Sequence, residues 1–317
     1  VAALFGRSGW RVGLIARGEA GLQAVATELR AACSPVAFAV GDVTRTPSLT
    51  AATDIVVEAL GPPDVWINCA GNGVYGRFAD VPEEQFERVT AVTYGGTVNG
   101  CRVALSLMRP IGRGTIVNVC SAVAFHGIPL MTSYAGAKAA VRGFGQSLRA
   151  ELRMERSRIR VATVFPPAVN TPFFSHAVSH MGWPARPARP VYQPEIVAGA
   201  ILRAAERGTA EMVVSGTAVA FAIASRLSPP LIAFTMTQLG FDGQLTRDAG
   251  AASVALPTLF APSPEAYPIH GPFGRGARRY SVQQWLSRFA AIPWRGNIEQ
   301  PPSRTGEPAP PSPPKPR

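Results

Sequence analysis

The chain has 317 residues, a formal net charge of +11, 47% hydrophobic residues and 16% charged ones. So apolar a chain builds a core, which excludes disorder over most of its length, and no run of eighteen uncharged apolar residues predicts a membrane-spanning helix. The four cysteines, Cys33, Cys69, Cys101 and Cys120, lack CxxC spacing, which fits a reducing compartment and neither a disulfide framework nor a zinc site.

Residues 1–9 read as the last turns of a helix that runs into Gly9. Strands are then predicted at Val12–Ala16, Val36–Val40, Val65–Asn68, Thr115–Val119, Arg160–Phe165 and Met212–Val214. Amphipathic segments at about 19–32, 47–60, 82–109, 133–156 and 194–207 alternate with them, and such alternation predicts βαβ units on a parallel sheet. A Rossmann-type doubly wound sheet needs a first, central strand and a glycine-rich turn ahead of this point. Both are missing here, and residue 1 is Val, so the intact protein is expected to carry more at its N-terminus. Residues 1–216 form the expected dinucleotide-binding and catalytic domain, incomplete at its start. Residues 217–295 form a helical and irregular extension, with a short helix near Ser281–Ala290. From 296 a Pro-rich tail is expected to be disordered, residues 301–317 holding eight prolines.

The positive charge points less to nucleic acid than its size implies. Only Lys138 and Lys315 are lysines, so 29 of the 31 basic residues are arginines, a bias that a GC-rich genome produces without selection for binding. The cluster Arg149, Arg153, Arg156, Arg158 and Arg160 reads as a solvated helix face, and no nucleic-acid-binding motif accompanies it. Gly71, Gly73 and Gly76 fit GxGxxG, but no helix follows at once, so they read as a flexible loop. His126, His176, His180 and His270 show no ligand spacing, hence no metal site is expected.

Ligands on such sheets bind beyond the carboxyl ends of the strands. There lies the sharpest pattern, Ser121 at a strand end with Tyr134 and Lys138 four apart on one helix face. With so few lysines, a Tyr-x-x-x-Lys pair arises by chance roughly 0.04 times per chain. A free tyrosine has a pKa of about 10. A cation within ~4–6 Å lowers it by about 1–3 units, to about 7–9, within reach of general acid/base work.

With these residues the sequence resembles a short-chain dehydrogenase/reductase over about residues 1–215. Asp42–Val43 resembles the family's adenine-contacting pair. Asn68–Cys69–Ala70–Gly71 resembles its Asn-Asn-Ala-Gly turn, with Cys69 for the second Asn. Pro166–Pro167–Ala168–Val169–Asn170–Thr171–Pro172 resembles its Pro-Gly turn with the nicotinamide-binding Thr, Pro167 replacing Gly. The resemblance implies hydride transfer between a nicotinamide cofactor and a carbonyl or alcohol. Tyr134 is then the acid/base, Lys138 bonds the cofactor ribose, and Ser121 orients the substrate oxygen. Cofactor contacts are implied at Asp42, Val43, Asn68, Ala70, Gly71, Tyr134, Lys138, Pro166, Val169 and Thr171. The family's helix asparagine, part of a proton relay, is replaced by Thr93, whose hydroxyl is expected to bond the helix carbonyl behind it. Arg17 follows Ala16 where an NAD site has an acid, so NADP is the expected cofactor, with NAD possible.

An apolar carbonyl or alcohol is the expected substrate. Phe173, Phe174, His180, Met181 and Trp183 suggest a lid, faced by Val74, Tyr75, Phe125 and Ile128. Residues 217–239 predict a helical hairpin over the sheet or pocket, with a membrane-surface or dimer contact as the rival use. A cytoplasmic homo-oligomer is expected. Thr93 and Pro167 also motivate an alternative, a catalytically weak cofactor-binding regulatory or scaffold protein.

Overall fold

The computed structural model describes residues 1–32, 34–246, 258–281 and 283. The Pro-rich tail and nearly all of the helix expected near Ser281–Ala290 lie outside them. The first helix, α1 (Ala2–Arg7), ends at Gly9, whose positive φ of 82° turns the chain into β1 (Val12–Ala16). Helices then alternate with strands: α2 (Glu19–Ala31), β2 (Val36–Val40), α3 (Thr46–Leu60) and β3 (Val65–Asn68). All three strands fall where the short apolar runs predict them.

After β3 the chain forms a short strand, β4 (Val74–Tyr75), then α4 (Glu83–Thr90) and α5 (Gly96–Ile111), with a π-helical turn at Ala91–Gly95 between the two helices. One continuous helix over 82–109 was expected, and the wider turn interrupts it at Thr93. There follow β5 (Arg113–Val119), α6 (Thr132–Met154), β6 (Arg158–Phe165), α7 (Phe173–His176), β7 (Val178–Ser179), α8 (Pro194–Arg207), β8 (Glu211–Val213), α9 (Gly216–Leu227) and α10 (Pro229–Leu239).

The sheet is parallel throughout and lies in two pieces, β1 with β2, and β3-β5-β6-β8. A cavity of about 310 Å³ separates β1 from β3, lined by Val12, Gly13, Ile15, Val65, Trp66 and Ile67 among others. The gap falls where the Rossmann-type order places its central strand. The larger core joins Val117, Ala162 and Val164 of the sheet to Ala200, Ile201 and Ala204 of α8. A second core sets Met108 of α5 and Leu152 of α6 on Ile116 and Val161. Close approach of α5 to the sheet needs Gly100, since a Cβ there would meet the Asn68 carboxamide.

Candidate active site

The carboxyl ends of β3, β5 and β6 open onto one cleft, and the sequence motifs meet there. Ser121 follows β5 in extended backbone, and its Oγ accepts a hydrogen bond from the Val123 N–H at 3.3 Å. Tyr134 and Lys138 lie one turn apart on α6. The Ser121 hydroxyl stands near enough to the Tyr134 phenol to favour its ionised form. Lys138 is 3% exposed, donates to the Val119 carbonyl at 2.7 Å, and sits 5.6 Å from the Tyr134 ring centroid.

The electrostatics differ from the expectation. Burial pushes the Tyr134 phenol above its ordinary value, its coupling to the Cys120 thiol adds to this, and the nearby Ser121 hydroxyl opposes it. Burial also lowers the Lys138 ammonium below its ordinary value. The lowering of Tyr134 to about 7–9 is therefore absent in the protein alone: desolvation of both groups outweighs the cation's pull.

Thr93 also departs from the expectation. It is fully buried, and its Oγ1 bonds no helix carbonyl and has no partner among the described residues. The π-helical turn changes the register of the carbonyls behind it. A Cβ on Gly71 would stand 3.7 Å from Lys138 Nζ and 3.8 Å from Thr93 Oγ1, so Gly71, Thr93 and Lys138 converge. Cys69, Ala70 and Gly71 are exposed at the cleft edge. Asn68 points the other way: its carboxamide accepts from Trp66 Nε1 and donates to Asn118 Oδ1, each at 2.8 Å, tying β3 to β5.

At the far end of the cleft, Asp42 accepts from the Thr44 N–H and hydroxyl and pairs with Arg88 at 3.1 Å. Burial pushes the Asp42 carboxyl up, but the bonds from Thr44 and Arg88 prevail and hold it below the ordinary value. The Val43 carbonyl accepts from Asn99 Nδ2 at 2.9 Å. Arg17 is engaged by the distal chain, donating to the carbonyls of Thr258 at 2.7 Å, Leu259 at 3.4 Å and Phe260 at 2.8 Å. Leu259 is buried beside Val74 and Val89, and its carbonyl also accepts from Arg88 Nε.

The same segment reaches the turn after β6. The Pro166 carbonyl accepts from the Ala122 N–H, Val169 bridges to Tyr192, and Gly271 packs on the Thr171 carbonyl. Asn170 accepts from the N–H of Gly271 and of Phe273. Residues 258–273 thus strap the cleft from Arg17 to Thr171.

The segment expected as a lid is anchored. β7 pairs with β4, and His180 Nε2 lies 2.8 Å from Gln85 Oε1. Phe173 packs 5.3 Å from both the Tyr134 and the Phe174 ring centroids. Val74 and Tyr75 are core residues, each 1% exposed. Ile128 and Met181 lie in the same cluster as Phe173, Phe174 and Tyr134. Trp183 stays 42% exposed, and Phe125 stacks between Phe165 and Arg142.

The sequence profile of short chain dehydrogenases matches residues 1–182. The chain belongs to the short chain dehydrogenase family. It is an oxidoreductase of this type, with the parallel Rossmann-like fold. Among similar proteins is the Bacillus subtilis protein named uncharacterized oxidoreductase YxnA, 29% identical over 77% of this chain and 69% of its own length. The Mycobacterium tuberculosis probable oxidoreductase EphD is 37% identical over 54% of this chain, a match that spans 28% of EphD. An alcohol dehydrogenase from the archaeon Thermococcus sibiricus, solved with 5-hydroxy-NADP, shares the fold with a TM-score of 0.58 and 24% identity, over 67% of this chain and 88% of that one.

One buried polar residue beside the Asn68–Gly71 turn escaped the sequence reading. Asn72 is 8% exposed and neither end of its carboxamide has a partner among the described residues. Its place directly after Asn68–Cys69–Ala70–Gly71 was the available signal. The residues present fit the nicotinamide-ribose end of a cofactor, because Lys138 and the Thr93 hydroxyl, which has no partner among the described residues, both lie beside Gly71. At the other end the Arg17 guanidinium is held by protein carbonyls.

Proposed function

We propose that this short chain dehydrogenase interconverts an apolar carbonyl compound and its alcohol with NADP as the preferred cofactor. The observation that supports it best is Ser121 at the carboxyl end of β5, with Tyr134 and the buried Lys138 one turn apart on α6. When bound, the cofactor supplies or accepts the hydride. Lys138, Gly71 and Thr171 would hold its nicotinamide-ribose end, and Arg17 its 2′-phosphate once the strap carbonyls are exchanged. Asp42, Val43, Ala70, Pro166 and Val169 border the rest of that path.

Tyr134 gives its phenolic proton to the carbonyl oxygen in reduction and takes it back in oxidation. Ser121 donates a hydrogen bond to the same oxygen and fixes its position. A phenol held protonated by burial suits donation. Lys138 and the Thr93 hydroxyl both border Gly71 and would serve to replenish the proton of Tyr134. Phe173, Phe174, Met181 and Ile128 give the substrate side an apolar wall.

A second reading, a catalytically weak cofactor-binding protein, is favoured by the engagement of Arg17 and the upward shift of Tyr134. Titration with NADPH and turnover over a panel of apolar ketones and aldehydes separates the two. Turnover lost in Tyr134→Phe supports the enzyme, and NADPH binding without turnover in the parent chain supports the second reading. A cytoplasmic homo-oligomer accompanies the proposal, and sedimentation equilibrium tests the assembly.

A further inference from the structure

The hairpin of α9 and α10 was expected to lie over the sheet or pocket. It does so with one side only. Ala218 and Ser225 are buried, and Ala233 and Met236 face Val123, Phe125, Ile128 and Pro129 across an apolar groove of about 610 Å³. The other side carries large apolar groups in the open. Ile223 is 53% exposed, Leu227 79%, Leu231 56% and Phe234 64%. Ile223 and Leu227 are four apart on α9, and Leu231 and Phe234 three apart on α10, so each pair forms one outward stripe. The tip between them is Ser228–Pro229–Pro230.

The charge of this region is as distinctive as its exposure. Residues 212–241 contain a single charged side chain, Arg226, which is exposed beside Leu227. No carboxylate interrupts them, in a chain of net charge +11. We propose that the α9–α10 hairpin docks this protein on an anionic phospholipid surface, with Leu227, Leu231 and Phe234 entering the acyl boundary and Arg226 at the headgroup phosphates. Helices of 12 and 11 residues are about 18 and 16 Å long, against a hydrocarbon core of about 30 Å, so the hairpin lies in the interface and does not span. A second copy of the chain fits the face less well. Related by a two-fold axis, the two hairpins would meet with an arginine on each and no acid on either. Docking depends on this face and not on the chemistry at Tyr134.

The test is co-sedimentation of the full chain with vesicles of equal parts phosphatidylcholine and phosphatidylglycerol, and with pure phosphatidylcholine. The parent is expected to pellet with the mixed vesicles, and Leu227→Glu/Leu231→Glu to lose this by at least tenfold with its circular dichroism unchanged. Arg226→Gln should weaken binding to the mixed vesicles alone. As a second measurement, Phe234→Trp should gain fluorescence that vesicles with brominated acyl chains quench. A parent that stays in the supernatant overturns the proposal. So does a double variant that pellets like the parent, or a Phe234→Trp variant whose added fluorescence is not quenched. A parent dimer that becomes monomeric in the double variant, without vesicle binding, assigns the face to a second copy and overturns it equally.

Discussion

Tyr134 and Arg17 each serve two claims that only variants can separate. The Tyr134 ring packs on Phe173 while its hydroxyl lies near Ser121. Tyr134→Phe keeps the ring and removes the proton, so turnover should fall by about a thousandfold or more, within the range of general acid/base losses, while NADPH affinity stays within about twofold, since Kd follows contacts that the phenylalanine retains. Stopped-flow binding beside steady-state rates checks both. Arg17 donates to three carbonyls of the strap, and a charge-assisted bond to a 2′-phosphate is worth roughly 1.5–3 kcal/mol. Arg17→Ala should therefore lower the NADPH/NADH affinity ratio by about tenfold. Paired titrations at fixed ionic strength read it, and an unchanged ratio makes Arg17 an anchor of the strap alone.

Among the elements, α5 and the strap carry the sharpest expectations. A Cβ at Gly100 would strike the Asn68 carboxamide, which cannot move without breaking its bonds to Trp66 and Asn118. Alanine gains up to about 1 kcal/mol of helix propensity, while overpacking costs about 1–3 kcal/mol. Gly100→Ala should thus lower stability by about 1–2 kcal/mol in urea unfolding. The strap is pinned by Leu259, buried beside Val74 and Val89. A carboxylate in that apolar site is costly, so Leu259→Asp should release residues 258–263 to protease and strengthen NADPH binding several-fold by freeing Arg17. If affinity is unmoved although the strap is cut, the strap does not compete with the cofactor.

For the whole molecule, acid tolerance should depend on the Asp42–Thr44–Arg88 cluster, which joins the β1–β2 side to α4 and, through the Leu259 carbonyl, to the strap. The folded Asp42 carboxyl sits below its ordinary value. Its contribution is complete above the unfolded pKa of about 3.9 and is lost as the pH falls through the lower folded value. Asp42→Asn should lower the melting temperature at neutral pH and flatten its decline on acidification. Thermal scans from neutral pH into the acid range below the unfolded value follow that loss, and parallel curves for parent and variant would refute the role.

The sequence by itself determined the alternation of strands and helices. A strand covered on both faces is written as a contiguous apolar run, and a helix as a 3.6-residue stripe, so both are local signals. It determined likewise that Tyr134 and Lys138 share one helix face, because a helical i,i+4 pair has fixed geometry. Tertiary structure alone decided that Asn68 turns into the β3–β5 seam, that a π-helical turn leaves Thr93 without a partner among the described residues, and that burial governs Tyr134 and Lys138. It alone brought residues 258–260 onto Arg17, some 240 residues away in the chain, and left one side of the α9–α10 hairpin bare. Each of these depends on which distant groups replace water around a side chain, and no local pattern encodes that.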